Sequence, residues 1–239
     1  YDDEIDNKLN SIEPMFLSAR WERRTERGFA YAMEYSYSGQ KFNPGIGFVN
    51  RGSLQGFAGN VVYAWLPPHD SKIFTITAYT NASRYTRLED GNLESISVAP
   101  GASLETKSGY KTSFEVEYQQ EGVLFNFPIT DSVWVLAGNY EFTAANLSMN
   151  TPSGKKFAVT LSLRGGTFYD GQRRGVTLTP NYNISASLQL SGSYQFNHIK
   201  FPDRNRETDL HIASAKVLYM LSTKLSASIF VQYVNTTND

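Results

Sequence analysis

The sequence predicts an all-β protein, an antiparallel up-and-down transmembrane β-barrel of about twelve strands. Three observations carry this expectation. From Lys111 to Gln119 the residues alternate strictly: Thr112, Phe114, Val116 and Tyr118 lie on one side, and Lys111, Ser113, Glu115, Glu117 and Gln119 on the other. Side chains alternate between the faces of a strand, so this segment has a greasy face and a charged face. The strands run mostly to ~9–15 residues, at the upper end of soluble sheets and near what crosses a bilayer. The connections alternate between short and mostly longer. Outer-membrane barrels sort their loops this way, whereas a Greek-key sandwich has no reason to.

Residues 1–13 are polar and acidic and read as a tail or loop, leaving 14–239 to the barrel. Pro14 to Trp21 and Gly28 to Tyr37 read as strands around a charged turn. A connection rich in Gly, Asn and Pro follows, Ser38 to Gly52. Ser53 to Leu66 places Phe57, Val61, Tyr63 and Trp65 on one face, and Pro67-Pro68 ends it. Lys72 to Arg87 alternates Phe74, Ile76, Ala78 and Ala82 with Thr75, Thr77, Asn81 and Ser83. Glu89-Asp90-Gly91 is a turn signal, and Asn92 to Lys107 is the next strand.

The strand Gly109 to Gln120 is followed by a long connection, Glu121 to Ser132, and by an irregular strand, Val133 to Met149. Lys156 to Gly165 and Gly175 to Tyr182 read as strands on either side of a long connection, Gly166 to Arg174. Ser187 to Phe201 sets Leu188, Leu190, Gly192, Tyr194 and Phe196 against Gln189, Ser191, Ser193, Gln195 and Asn197. A charged connection, Pro202 to Thr208, leads to the last two strands, Asp209 to Leu221 and Leu225 to Asn235. On this count both chain ends fall on the long-loop side. Complete bacterial barrels keep both termini on the other side, so the count implies part of a larger barrel.

Composition excludes several classes. A net charge of −1 and no basic cluster argue against nucleic acid as a partner. The chain has 0 Cys, which removes disulfide scaffolds, thiol nucleophiles and thiolate metal sites. The aromatic content of 14% suits strands and membrane-interface girdles. A mean hydropathy of −0.38 leaves no apolar run of a membrane helix's length. It does not exclude a barrel, whose strands show lipid only every second residue. No signal peptide is visible at Tyr1, which suggests a mature or truncated chain.

Three stretches resemble a Gram-negative outer-membrane family of unknown function. They are KFNPGIGFVNRG (Lys41 to Gly52), GGTFYDGQRRGVTLTPNYNISASLQLSGSYQFNHIKFP, and SAKVLYMLSTKLSASIFVQYVNTTND, where Val234 intrudes before the final Asn of a QYN-like ending. Members of that family typically carry a family 9-like carbohydrate-binding domain ahead of the barrel. The resemblance implies a bacterial outer-membrane location. The carbohydrate-binding domain and the usual continuation past the ending are both absent here, in keeping with a fragment. The shared motifs are structural, so they speak to fold more than to function.

Candidate lumen-lining residues are Glu105, Glu115, Glu117, Arg164, Gln189 and Gln195, with Lys216 a further member of a charge network. Glu115 and Glu117 stand ~6–7 Å apart on one face, a spacing that also suits paired catalytic carboxylates. No base, cleft or nucleophile accompanies them, and no catalytic residue or cofactor is expected. His198 and His211 are symmetric about a loop centred near Asn205 and are expected as cross-strand neighbours. Either they hold a metal with Asp203 or Asp209, or they are amphipathic rings at a membrane interface beside Tyr194 and Phe196. Phe168 to Arg174 reads either as a sugar- or phosphate-binding loop or as a solvated Asp-Gly turn.

The expected partner is the lipid bilayer, with small polar solutes or carbohydrates and other subunits of an outer-membrane complex as further ones. The expected role is solute passage or the anchoring of a carbohydrate-binding domain. The alternative is a water-soluble all-β carbohydrate- or ligand-binding module, whose core would bury Phe114 and Leu190.

Overall fold

The computed structural model describes residues 12–45 and 52–236. The NPxxGF-like stretch therefore lies partly outside the described residues, as do most of the tail and the last three positions. Fourteen strands are formed: β1 (Phe16–Arg23), β2 (Gly28–Ser38), β3 (Leu54–Trp65), β4 (Ile73–Arg87), β5 (Leu93–Thr106), β6 (Lys111–Val123), β7 (Phe127–Pro128), β8 (Trp134–Val135), β9 (Gly138–Asn150), β10 (Phe157–Phe168), β11 (Gly171–Asn183), β12 (Leu188–Phe201), β13 (Arg206–Met220) and β14 (Ser226–Thr236). Twelve make one antiparallel up-and-down sheet, in the order β1 to β6 and then β9 to β14. The short β7 and β8 pair with each other. No helix among the described residues is long and apolar enough to cross a membrane, which says nothing of strands.

Strand pairing turns the alternation of each segment into two continuous surfaces. One row crosses the sheet as Phe29, Tyr63, Ala78, Ala102, Phe114, Leu147, Leu163, Val176, Phe196 and His211. On the opposite face, the adjacent row reads Thr77, Ser103, Ser113, Ser148, Ser162, Thr177 and Gln195. Among the described residues none covers the apolar face: Phe114 is 50% exposed and Leu190 36%. Side chains from β4, β6, β9, β10, β11 and β12 line one cavity on the polar face, so the sheet is concave there.

Three expected boundaries are corrected. The stretch Gly166 to Arg174 is not a long connection. β10 and β11 run through it and meet at a two-residue turn, Tyr169–Asp170. Such a turn needs positive φ; Tyr169 supplies it at 50°, and its ring is wedged among Phe127, Tyr140 and Phe142. The connection Pro202 to Thr208 shrinks to a 3-10 turn, Pro202–Arg204, closed by Asn205 in the left-handed region at φ 48°. The strand expected over 133–149 is β9 with a later start; its first residues belong to the β7–β8 hairpin.

Loop sorting is accordingly weaker than expected. The two longest connections, 39–53 and 124–137, do lie at the same end. The other connections at that end are tight: 88–92 is the turn the sequence marks, and 169–170 and 202–205 are short because the strands continue into what read as loop.

The hydrophobic core is small and lies at that same end, on the polar face. Val133 and Val135 from the connection 124–137 pack on Ile199 and Phe201 of β12, with Val123, Ile129, Tyr140, Phe168, Tyr169 and Leu210 around them. Burying each such side chain is worth about 1.5–3 kcal/mol. This burial favours the inward fold of the segment over the sheet.

Candidate functional site on the polar face

Glu117 and Arg164 form the centre of the site. The strand β9 separates them, and the residues beneath the bridge are Ala144, opposite Glu117, and Asn146, opposite Arg164. The small Ala144 leaves the gap clear. Arg164 Nη2 then donates to Glu117 Oε2 at 3.0 Å, and Nη1 to Asn146 Oδ1 at 3.3 Å. Gln119 donates to Glu117 Oε1 at 2.7 Å, and the Ser97 hydroxyl reaches the same oxygen at 3.5 Å.

Glu115 has separate surroundings. Asn81 donates to it at 3.5 Å, and Tyr79 reaches towards it across Gly101, where a Cβ would overlap the phenol ring. Glu115 and Glu117 thus serve two different hydrogen-bonding groups of one surface. Further along, Arg173 donates from Nε and Nη2 to Asn197 Oδ1 at 2.9 and 2.7 Å. Glu115, Asn146, Arg164, Arg173, Gln195 and Asn197 all line the same cavity of about 360 Å³.

The remaining expected residues are spread over this face. Gln195 stands in the hydroxyl row, opposite Thr177. Gln189 is nearer the other end, where it donates to Asn181 at 3.0 Å. Glu105 lies opposite Lys111 at the far margin of β5 and β6. Lys216, on β13 opposite Ser191 and Phe230, is remote from the central network. The structure therefore gathers Glu115, Glu117, Arg164 and Gln195 and leaves Glu105, Gln189 and Lys216 apart.

His198 and His211 are on the apolar face, and their expected pairing is corrected. The turn is centred one residue earlier than a fold that would face the two histidines, so His198 faces Asp209 and His211 faces Phe196. His198 Nδ1 lies 2.7 Å from Asp209 Oδ1. His211 Nδ1 lies 2.9 Å from the Tyr194 hydroxyl, and its ring packs at a tilt against Phe196, centroids 4.9 Å apart. Among the described residues no group of three or more His, Cys, Asp or Glu could hold a metal ion.

Beyond Asn197 on β12, the inward-folded segment 124–137 packs on Ile199 and Phe201. Arg204 pins it, donating to the Trp134 carbonyl at 2.6 Å and to Asp170 at 2.7 Å, with its guanidinium 4.1 Å from the Phe201 ring centre. Tyr169 donates to Glu121 at 3.1 Å. Burial first, and then the Glu121 carboxylate, raise the Tyr169 phenol well above its ordinary pKa, so it stays a donor. Arg173, Asn197, Asn81, Tyr79 and Arg204 were not expected in the site. Arg173 and Arg204 lay in stretches read as loop, and a neutral Asn or Tyr gains a role only from its cross-strand neighbours.

Comparisons with protein-family models, with curated proteins and with solved structures each find no match.

Proposed function

We propose that this chain forms a bilayer-embedded β-barrel wall of a bacterial outer membrane, of the kind its sequence motifs resemble. Its polar face lines an aqueous path for small polar solutes. The observation that carries the reading is the exposed apolar row from Phe29 to Phe196, backed on the other face by hydroxyls and amides. A soluble sheet of this size would bury that row in a core; the core formed among the described residues belongs to the segment 124–137 instead. Lipid offers no hydrogen-bonding partner to the backbone, so the open edges of β1 and β14 are joined, to each other or to further strands. The central network sets the electrostatics of the path, and the inward segment narrows its mouth. A companion carbohydrate-binding domain is the partner that the motifs suggest.

Heat-modifiability tests this. The protein is extracted from membranes with and without detergent and run on a denaturing gel before and after boiling. Detergent-dependent extraction and a heat-sensitive shift in mobility are expected. A protein that is monodisperse without detergent and shows no shift overturns the reading.

A further inference from the structure

One row of the apolar face departs from the rest. It reads Val116, Ala145, Gly165, Arg174, His198 and Asp209 across β6 to β13. Ala145 and Gly165 leave a hollow where neighbouring rows carry Leu147 and Leu163. The result is an apolar groove of about 510 Å³, walled by Phe114, Leu147, Leu163, Val176 and Phe196. A Cβ added at Gly165 would meet no atom within 4 Å, so the groove is open at that point. No steric need of the fold keeps a glycine there.

The groove has one charged residue on the apolar face at its rim. Arg174 is directly opposite Gly165 and exposed. The nearest carboxylate of the row, Asp209, is one strand beyond His198 and engaged by its imidazole at 2.7 Å. In the next row Lys200 and Glu207 pair at 3.5 Å. The apolar belt thus gives way to a polar band at Arg174, and the groove runs down from that border.

We propose that this groove is a lipid site, holding one acyl chain of an anionic phospholipid whose phosphate rests on Arg174. An acyl chain matches the apolar walls and continues the surrounding bilayer. A guanidinium at the border matches a phosphate at headgroup height. The proposal rests on the bilayer-spanning reading above.

The test uses the full chain in detergent, exchanged out of vesicles of phosphatidylglycerol and phosphatidylcholine and weighed by native mass spectrometry. The wild-type protein is expected to retain phosphatidylglycerol over phosphatidylcholine. Gly165→Leu, which fills the groove, and Arg174→Gln, which removes the charge, are each expected to lower that retention tenfold or more. Each variant's mobility shift on heating reports its folding, and Arg174→Gln decides alone should Gly165→Leu not fold. Equal retention by the wild type and Arg174→Gln, or no preference between the two lipids in a folded, membrane-extracted protein, overturns the lipid site alone. A protein that needs no detergent and shows no shift overturns the membrane reading instead.

Discussion

Arg164 and Glu117 meet at 3.0 Å with an entire strand, β9, running between their own. The bridge exists because Ala144 is too short to stand between them, and it ties three strands together on one face. Both side chains are partly exposed, at 32% and 17%, so solvent weakens their attraction. A double-mutant cycle with Glu117→Gln and Arg164→Gln is expected to give a coupling of about 1 kcal/mol. Denaturant unfolding of the four proteins measures it, and a coupling of zero would reduce the pair to mere proximity.

Phe114 and Ser113 are neighbours in the chain on opposite faces of β6. Phe114→Arg places a cation in the apolar row, and a lipid-facing position near the midplane makes this cost ~2–4 kcal/mol. Ser113→Arg places the same cation among the hydroxyls of the polar face and is expected to cost far less. Folding titrations into lipid vesicles compare the two. Equal costs would assign the apolar row to something other than lipid.

Phe201 is fully buried beneath Val133 and Val135. Phe201→Ala is expected to destabilise by about 3–5 kcal/mol, since the cavity left behind cannot close. The loss falls first on the inward segment 124–137. Limited proteolysis should cut there many times faster than in the wild type while the twelve-stranded sheet stays intact. Unchanged protection would mean that Arg204 alone holds the segment.

Asp90 lies in the turn between β4 and β5. The Asn92 backbone amide, then Arg87 and the Asn92 side chain, hold its carboxyl down from an ordinary 3.8 to about 2. A carboxylate whose pKa is depressed by folding contributes stability that is present above the ordinary value. That contribution is lost as pH falls through the folded one. Wild-type stability is therefore expected to fall between about pH 4 and pH 2, with a shallower fall in Asp90→Asn. Chemical unfolding followed across that window checks it, and identical acid limbs would exclude Asp90 as a contributor.

The fold was legible wherever alternation was uninterrupted. Phe114 and its neighbours announced a strand with two faces, and each of the twelve long strands overlaps a segment read as a strand, the irregular 133–149 included. The signal failed where local chemistry pointed elsewhere. Asp170-Gly171 reads as the centre of a loop, yet the turn is Tyr169–Asp170, because the Tyr169 ring packs against residues distant in the sequence. The site was half legible. Charge on a polar face marked Glu115, Glu117 and Arg164. Register decides which residues face one another across strands, and no single segment contains it; hence the misplaced histidine pair and the unforeseen Arg173.

In the large sheet every ladder joins strands that follow one another along the chain, and only β6 and β9 are separated by a further hairpin. Such a sheet draws its contacts from strands that are neighbours along the chain, and most strand pairs close a short loop at small entropic cost. Assembly is then a matter of accretion: any hairpin serves as a seed, and neighbours add to either side. The steps that differ within the sheet are the closure of β3 onto β2 across 39–53 and of β9 onto β6, which brings the segment 124–137 with it. Shortening 124–137 should hasten the second of these more than shortening any of the tight turns hastens its own hairpin.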